Sequence, residues 1–317
     1  MERNVLSQLI EWKHKPNRKP LILNGARQVG KTYILKEFGR TQYKDTAYIN
    51  CDNNAVVNKI FSQDYDTRRI LLSLSAVTHV NIKPHETLII LDEIQENPLA
   101  LNSLKYFCEE TPEFHIAAAG SLLGVAINRQ HYSFPVGKVE TITLYPLDFE
   151  EYLWARGKEL LSKEICAAYG AMEPLPDALH QEAIELYREY LIIGGMPACI
   201  NAFLKSGSFL DVPLAQNEIL DNYIADMAKY ASNTDSVKIR ACYNSIPAQL
   251  AKENKKFQYK VVQKGGSATL FGASIEWLNL AGVVLKCQRI SQAFEPIAVY
   301  ADLSAFKLYM GDVGLLT

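Results

Sequence analysis

Pro20-Leu-Ile-Leu-Asn-Gly-Ala-Arg-Gln-Val-Gly-Lys-Thr32 is a short apolar run that passes into Gly25-x-x-x-x-Gly30-Lys31-Thr32. This spacing is the phosphate-binding loop pattern, and each residue type in it answers a physical need. Gly25 and Gly30 let the backbone fold back tightly, so that its N–H groups can turn inward on phosphate oxygens. A helix beginning near Lys31 adds the positive end of its dipole at the same spot. Lys31 can reach the β- and γ-phosphates, and the Thr32 hydroxyl can take one position on Mg²⁺. A chance match in a glycine turn would lack the strand before it and the helical run Tyr33–Phe38 after it. The segment expected to hold a nucleoside triphosphate is therefore Gly25, Ala26, Arg27, Gln28, Val29, Gly30, Lys31, Thr32 and Tyr33.

Downstream, Thr87-Leu-Ile-Ile-Leu-Asp92-Glu93 reads as a buried strand ending in two carboxylates. Asp92 is placed to hold Mg²⁺, directly or through water, and Glu93 to orient and deprotonate an attacking water. Ile116-Ala-Ala-Ala-Gly-Ser121 is the next apolar strand, expected between the phosphate-loop strand and the Asp92 strand. Ser121 at its end is a candidate sensor of the γ-phosphate, though a Ser after Gly is equally a turn residue. Charge that builds on the transferring phosphoryl group calls for a cation. Arg129 and Lys138 are candidates, acting on their own site or on a neighbouring subunit's. Gln95 could position water or couple to the next subunit, and all of these residues also suit ordinary surface or packing roles. No guanine-reading Asn-Lys-x-Asp motif occurs, which leaves ATP as the default nucleotide.

Around these motifs the first 150 residues alternate strands and helices, as a parallel α/β sheet requires. The expected strands are 21–24, 46–50, 88–91, 116–119 and 140–144, with helices over 31–38, 55–60, 67–77 and 99–110. From Phe149 the pattern turns helical. Helices are expected from Glu150, over Asp177–Tyr190, after the turn Gly194-Gly-Met-Pro197, and over Leu214–Tyr230. Beyond about Asp235, helices over Val237–Leu250 and Gly272–Leu280 precede Ala281–Cys287 and Phe306–Met310, a candidate hairpin. Helices followed by a hairpin suggest a winged-helix module, with a helical bundle capped by a hairpin as the alternative. The expected architecture is a parallel-sheet P-loop domain over residues 1–148, a helical domain over 149–235 and a winged-helix-like domain over 236–317.

Composition narrows the class. The chain has 317 residues, 48% hydrophobic and 21% charged, as ordinary globular proteins do. No apolar run approaches the ~18 residues needed to cross a bilayer, and the acidic, amphipathic start does not suit a secretory signal. Six scattered cysteines without a C-x-x-C pair, and six histidines without H-E-x-x-H spacing, speak against zinc or dithiol chemistry and fit a cytoplasmic protein. The net charge of −2 hides an uneven distribution. Residues 1–150 are balanced, residues 151–235 carry 6 basic and 13 acidic side chains, and residues 236–317 carry 10 basic and 5 acidic ones. Contact with a polyanion such as duplex DNA is therefore expected from the last stretch.

Five motifs resemble, in order, those of a known family: Asn24–Thr32, Leu91-Asp-Glu-Ile-Gln95, Ala119-Gly-Ser-Leu122, Leu144-Tyr-Pro-Leu-Asp-Phe149 and Gly194-Gly-Met-Pro197. They are similar to bacterial and archaeal AAA-type ATPases whose ATPase module is joined to a C-terminal domain of unknown function. The resemblance covers nearly the whole chain. It implies an additional-strand P-loop fold, then a helical region and a winged-helix-like segment. It also implies nucleotide and catalytic roles for Lys31, Thr32, Asp92 and Glu93, with Ser121 at the sensor position. Where the family usually has Gly-Arg this chain has Gly137-Lys138, which keeps the charge but loses bidentate geometry. Family members also run on past Gly311–Leu316 into a nuclease-like part. Here the sequence stops at Thr317, with no Asp-x(n)-Glu-x-Lys pattern in residues 236–317.

Three functions fit these readings. The first is a Mg²⁺-dependent ATPase that couples nucleotide state to movement of its helical and winged-helix regions. The second is a DNA-binding module under nucleotide control. The third is a slow signalling switch with protein partners. A homo-oligomer is compatible with each.

Overall fold

The computed structural model describes residues 1–121 and 134–316, so Arg129 lies outside the described residues. The chain divides into two compact units, Met1–Tyr145 and Pro146–Thr317.

The first unit contains helices α1 (Val5–His14), α2 (Lys31–Gln42), α3 (Ala55–Gln63), α4 (Thr67–Thr78) and α5 (Pro98–Glu110). Its strands are β1 (Leu21–Gly25), β2 (Asp45–Asn50), β3 (Thr87–Asp92), β4 (His115–Ser121) and β5 (Glu140–Leu144). Every strand pair is parallel, in the order β2-β3-β4-β1-β5. The Ser121 strand thus lies between the phosphate-loop strand and the Asp92 strand, as the sequence suggested. β1, β3 and β4 are buried along their whole length, which explains why they read as continuous apolar runs rather than alternating ones. The core on one side gathers Ile22, Ile49, Phe61, Leu74, Ile89 and Phe107.

Three of the helices begin on side-chain caps. Asn54, Asp66 and Asn97 accept backbone N–H groups at the starts of α3, α4 and α5. The helix after the phosphate loop differs. α2 starts at Gly30, in the left-handed region at φ 96°, with no side-chain cap and no acid in its first turn. Gly25 is fixed by packing: a Cβ there would stand 2.4 Å from the Leu144 carbonyl oxygen of the neighbouring strand.

The second unit opens with α6 (Phe149–Ala155), α7 (Glu159–Ala171), α8 (Asp177–Ile193) and α9 (Pro197–Ser206). These are followed by α10 (Val212–Tyr230), α11 (Asn233–Leu250), the short α12 (Tyr259–Val262) and α13 (Ala268–Leu280). α6 starts on a reciprocal capping box between Asp148 and Glu151. β6 (Val284–Ile290) and β7 (Ala301–Met310) form an antiparallel hairpin. The first hairpin strand begins at Val284 rather than at Ala281. Gly282 has φ 73°, and the Gly282 N–H bonds back to the Asn279 carbonyl, so residues 281–283 close α13 instead of extending. The helix α7 is not among the expected helices; its inward stripe is short, with Leu161 and Ser162 buried and Ile165 partly buried.

A second glycine turn, Gly194-Gly195, joins α8 to α9 and is closed by the far end of the sequence. The Asp312 carboxylate accepts the Gly195 N–H at 2.6 Å and the Gly314 N–H at 3.0 Å. A Cβ on Gly195 would sit 1.9 Å from the Leu147 carbonyl oxygen. Asp312 is buried, and burial pushes its carboxyl up to about 6.

Candidate active site

The strand ends decide what meets. β1, β4 and β5 finish in register, Gly25 beside Ser121 on one side and Leu144 on the other, so the phosphate loop leaves the sheet where Ser121 also lies. β3 ends at the same edge in Asp92, beside Asn50 of β2. Ligands of open parallel sheets bind outside the carboxyl ends of the strands, and here four sequence-selected residues converge at that edge.

Asp92 is the hub. It is buried, and its Oδ2 accepts from the Thr32 hydroxyl at 2.8 Å and from the Tyr48 hydroxyl at 2.8 Å. Its Oδ1 accepts the Glu93 N–H at 3.1 Å. Tyr48 comes from β2, and burial, followed by its bond to Asp92, holds its phenol above the ordinary range. The Lys36 ammonium lies 3.7 Å from the Tyr48 ring centroid, anchoring that ring from α2. Cys51, just past β2, has its thiol pushed up to about 12, mainly by burial and then by Asp92 and Glu93. That thiol is no nucleophile at neutral pH.

Lys31 lies against its own loop, with Nζ 3.1 Å from the Gly25 carbonyl oxygen and 2.8 Å from that of Ala26. Glu93 sits in the left-handed region at φ 50°. That is uncommon for a residue with a side chain, and Gln28 of the phosphate loop shares it at φ 65°. Gln95 then makes a bridge. Its amide Nε2 donates to Glu93 Oε2, and its Oε1 accepts the Ser121 N–H at 3.3 Å. One buried side chain thus links the carboxylate at the end of β3 to the backbone at the end of β4.

Two site-supporting residues escaped the reading of the sequence. Arg3 is buried, and its guanidinium donates to the Val29 carbonyl at 3.0 Å and to the Tyr145 carbonyl at 2.6 Å, bracing the phosphate loop from behind. Tyr48 is the other. Both act over long sequence separations, 26 and 142 residues for Arg3 and 44 for Tyr48, and no local pattern announces them.

Lys138 is not brought to this edge within the chain. It precedes β5, whose first residue Glu140 pairs with Leu21 at the start of β1, and it forms an ion pair with Glu109 at 2.9 Å. That is the opposite edge of the sheet, about 15 Å away along a five-residue strand. Within the loop segment Gln28 and Tyr33 are exposed, Tyr33 to 54%, while Gly25, Ala26 and Val29 are buried.

The donor set suits a hard divalent cation with few protein ligands. Thr32 and Asp92 present oxygens 2.8 Å apart, and no cluster of three or more His, Cys, Asp or Glu side chains with metal-binding geometry occurs among the described residues. Mg²⁺ in phosphate sites is typically held this way, by one or two side chains plus phosphate and water oxygens. Among the described residues no helix is long and apolar enough to cross a membrane.

Residues 17–153 match a family model described as an AAA domain, and residues 184–317 match one described as a domain of unknown function. No curated protein matches the sequence. Among solved structures, the Walker-type ATPase PABY2304 of Pyrococcus abyssi is similar over 99% of this chain and 94% of its own, with 13% identity and a TM-score of 0.60. The ORC1 protein of Aeropyrum pernix in complex with DNA overlays with 14% identity over 98% of this chain and 90% of its own, at a TM-score of 0.35. PCH-2 of C. elegans overlays with 13% identity over 68% of this chain and 64% of its own, at a TM-score of 0.31. The first likeness shows a shared fold; the other two are too loose to bear on it. The phosphate-loop unit thus belongs to the AAA class of P-loop domains, and the chain joins it to a C-terminal domain of unknown function.

Proposed function

We propose that the chain binds ATP with Mg²⁺ at the carboxyl edge of the five-stranded sheet and hydrolyses it. The observation that carries this reading is the convergence of Lys31, Thr32, Asp92 and Glu93 on one edge, with Thr32 and Asp92 in direct hydrogen bond. In this reading Lys31 exchanges its loop carbonyls for β- and γ-phosphate oxygens. Thr32 and Asp92 would hold Mg²⁺, which supplies charge neutralisation at the transferring phosphoryl group. Glu93 takes the proton of the attacking water, and Ser121 stands where a γ-phosphate can be sensed. Gln95 holds Glu93 in fixed relation to Ser121. Lys138, on the other edge, can serve only a neighbouring copy's site, which would require a homo-oligomer.

We further read residues 149–235 and 236–317 as the parts that respond to nucleotide state. Three helices, α11 to α13, followed by a hairpin support the winged-helix reading of the last part. Duplex DNA as its partner is favoured by one observation: residues 252–264 hold five exposed lysines against the single acid Glu253.

The direct test is phosphate release from ATP with and without Mg²⁺, for the native chain and Lys31→Ala. Turnover that needs Mg²⁺ and falls by about 100-fold or more in the variant is the expected result. Turnover indifferent to Lys31 would refute the reading.

A further inference from the structure

A groove of about 440 Å³ runs along the β6–β7 hairpin, far in sequence from the phosphate loop. Its polar lining is Asn254, Lys256, Gln288, Arg289, Lys307 and Tyr309, with Phe306 contributing apolar surface. Every one of these polar side chains carries an N–H or O–H donor, and none is a carboxylate.

Strand geometry explains the arrangement. Along β7, Phe306 and Leu308 are buried while Lys307 and Tyr309 are exposed, because successive side chains alternate between faces. Cys287 of β6 pairs with Lys307, and beyond a register shift after Gln288, Arg289 pairs with Asp302 nearer the hairpin tip. The chain before α12 supplies the other wall. The Phe257 N–H donates to the Phe306 carbonyl at 2.9 Å, and the two rings stack with centroids 5.5 Å apart. That pairing fixes Lys256 beside the strand, within the lysine-rich stretch of residues 252–264.

Two acids beside the hairpin are already engaged, and Glu253, next to Asn254, is exposed. Asp302 stands 3.8 Å from Arg289 Nε and accepts from the Ser304 N–H and hydroxyl at 2.9 and 2.6 Å. Glu276 is paired with Lys286. A ligand entering the groove meets three cations, one of them already beside Asp302, and three neutral donors.

We infer that this groove carries the sugar–phosphate backbone of duplex DNA, with Lys256, Arg289 and Lys307 on phosphates. Asn254, Gln288 and Tyr309 are the neutral donors beside them, residue types that contact phosphate and sugar and carry no base information. The binding is accordingly independent of sequence. The inference builds on the nucleic-acid reading of the C-terminal part and not on ATP hydrolysis.

The experiment is fluorescence anisotropy of the full chain with a labelled 20-base-pair duplex of arbitrary sequence, without nucleotide, across a salt titration. Each phosphate-neutralising cation that is removed should lower the slope of log affinity against log salt by about 0.9. Lys256→Ala/Arg289→Ala/Lys307→Ala is thus expected to reduce the slope by about 2.7 and to abolish most of the affinity at low salt. A control of equal charge, Lys163→Ala/Arg188→Ala/Lys205→Ala, should keep the native slope. Glutamine in place of alanine at the three groove positions repeats the test if the alanine variant unfolds. Absent binding, identical behaviour of the two triple variants, or equal binding to polyglutamate or to single strands would overturn the inference. Lys31→Ala should bind the duplex as the native chain does, so a failed ATPase reading and a failed groove are told apart.

Discussion

Two glycine turns, one in each unit, solve the same problem in opposite ways. In the first unit the turn from Gly25 to Gly30 leads into α2 without a side-chain cap, while α3, α4 and α5 beside it are all capped. In the second unit the turn at Gly194-Gly195 is filled from within, by the Asp312 carboxylate on the Gly195 and Gly314 amides. The internal carboxylate occupies the kind of backbone concavity that a phosphate occupies elsewhere. On the proposed reading, a glycine turn serves a bound phosphate where the chain supplies no anion of its own, and is a structural lock where the chain does.

The contrast is broken most severely at Asp312. Asp312→Ala leaves two buried amide donors without their acceptor, at about 1–3 kcal/mol each, and should lower the stability of the second unit while ATP binding persists. Urea unfolding alongside nucleotide binding checks this, and loss of both together would contradict the division of labour. Next in size is a difference in pH response. His115, at the start of β4, is held down to about 3, chiefly by burial and then by Arg18. It folds neutral, so its contribution is complete above pH 6.5 and drains away as pH falls toward 3. Asp312 has the opposite sign: its raised value favours the fold when protonated, and that contribution is lost as pH climbs from about 4 through 6. Each is worth about 1.4 kcal/mol per pH unit inside its window. Acid should therefore weaken the native chain more steeply than His115→Gln. The stability advantage of the native chain over Asp312→Asn should shrink between about pH 4 and 7, and urea midpoints across pH read both.

A smaller effect belongs to Gln95. Gln95→Ala removes the bridge between Glu93 and Ser121 without touching the phosphates. It should lower kcat by about tenfold while leaving KM for ATP near its native value, since it loosens a catalytic group rather than a binding one. A rise in KM alone would mean that Gln95 serves nucleotide binding instead.

What the sequence disclosed follows the range of the interactions. The phosphate loop, the Asp92-Glu93 pair and the five strands are local patterns of a dozen residues or fewer, and the class of sheet put the Ser121 strand between the phosphate-loop and Asp92 strands. The hairpin was legible as two apolar runs, but its first strand was placed early because Gly282 turns the chain before it extends. Arg3, Tyr48 and Asp312 were not legible. Each acts through a contact to an element far along the chain, and a lone Arg, Tyr or Asp carries no periodic signal. Gly194-Gly195 and Gly311-Asp312 could both be seen as motifs, yet nothing in either announces that one supplies the anion for the other. Lys138 was drawn toward the phosphates by its charge and its place after the Ser121 strand. The parallel register puts it at the edge where strands begin instead.

The most direct measurement compares ATP binding and single-turnover hydrolysis in the native chain and in Glu93→Gln. An amide of the same shape cannot take the proton of the attacking water, so binding should be retained while hydrolysis falls by about 10²–10⁴-fold. Hydrolysis at the native rate in Glu93→Gln would contradict the account.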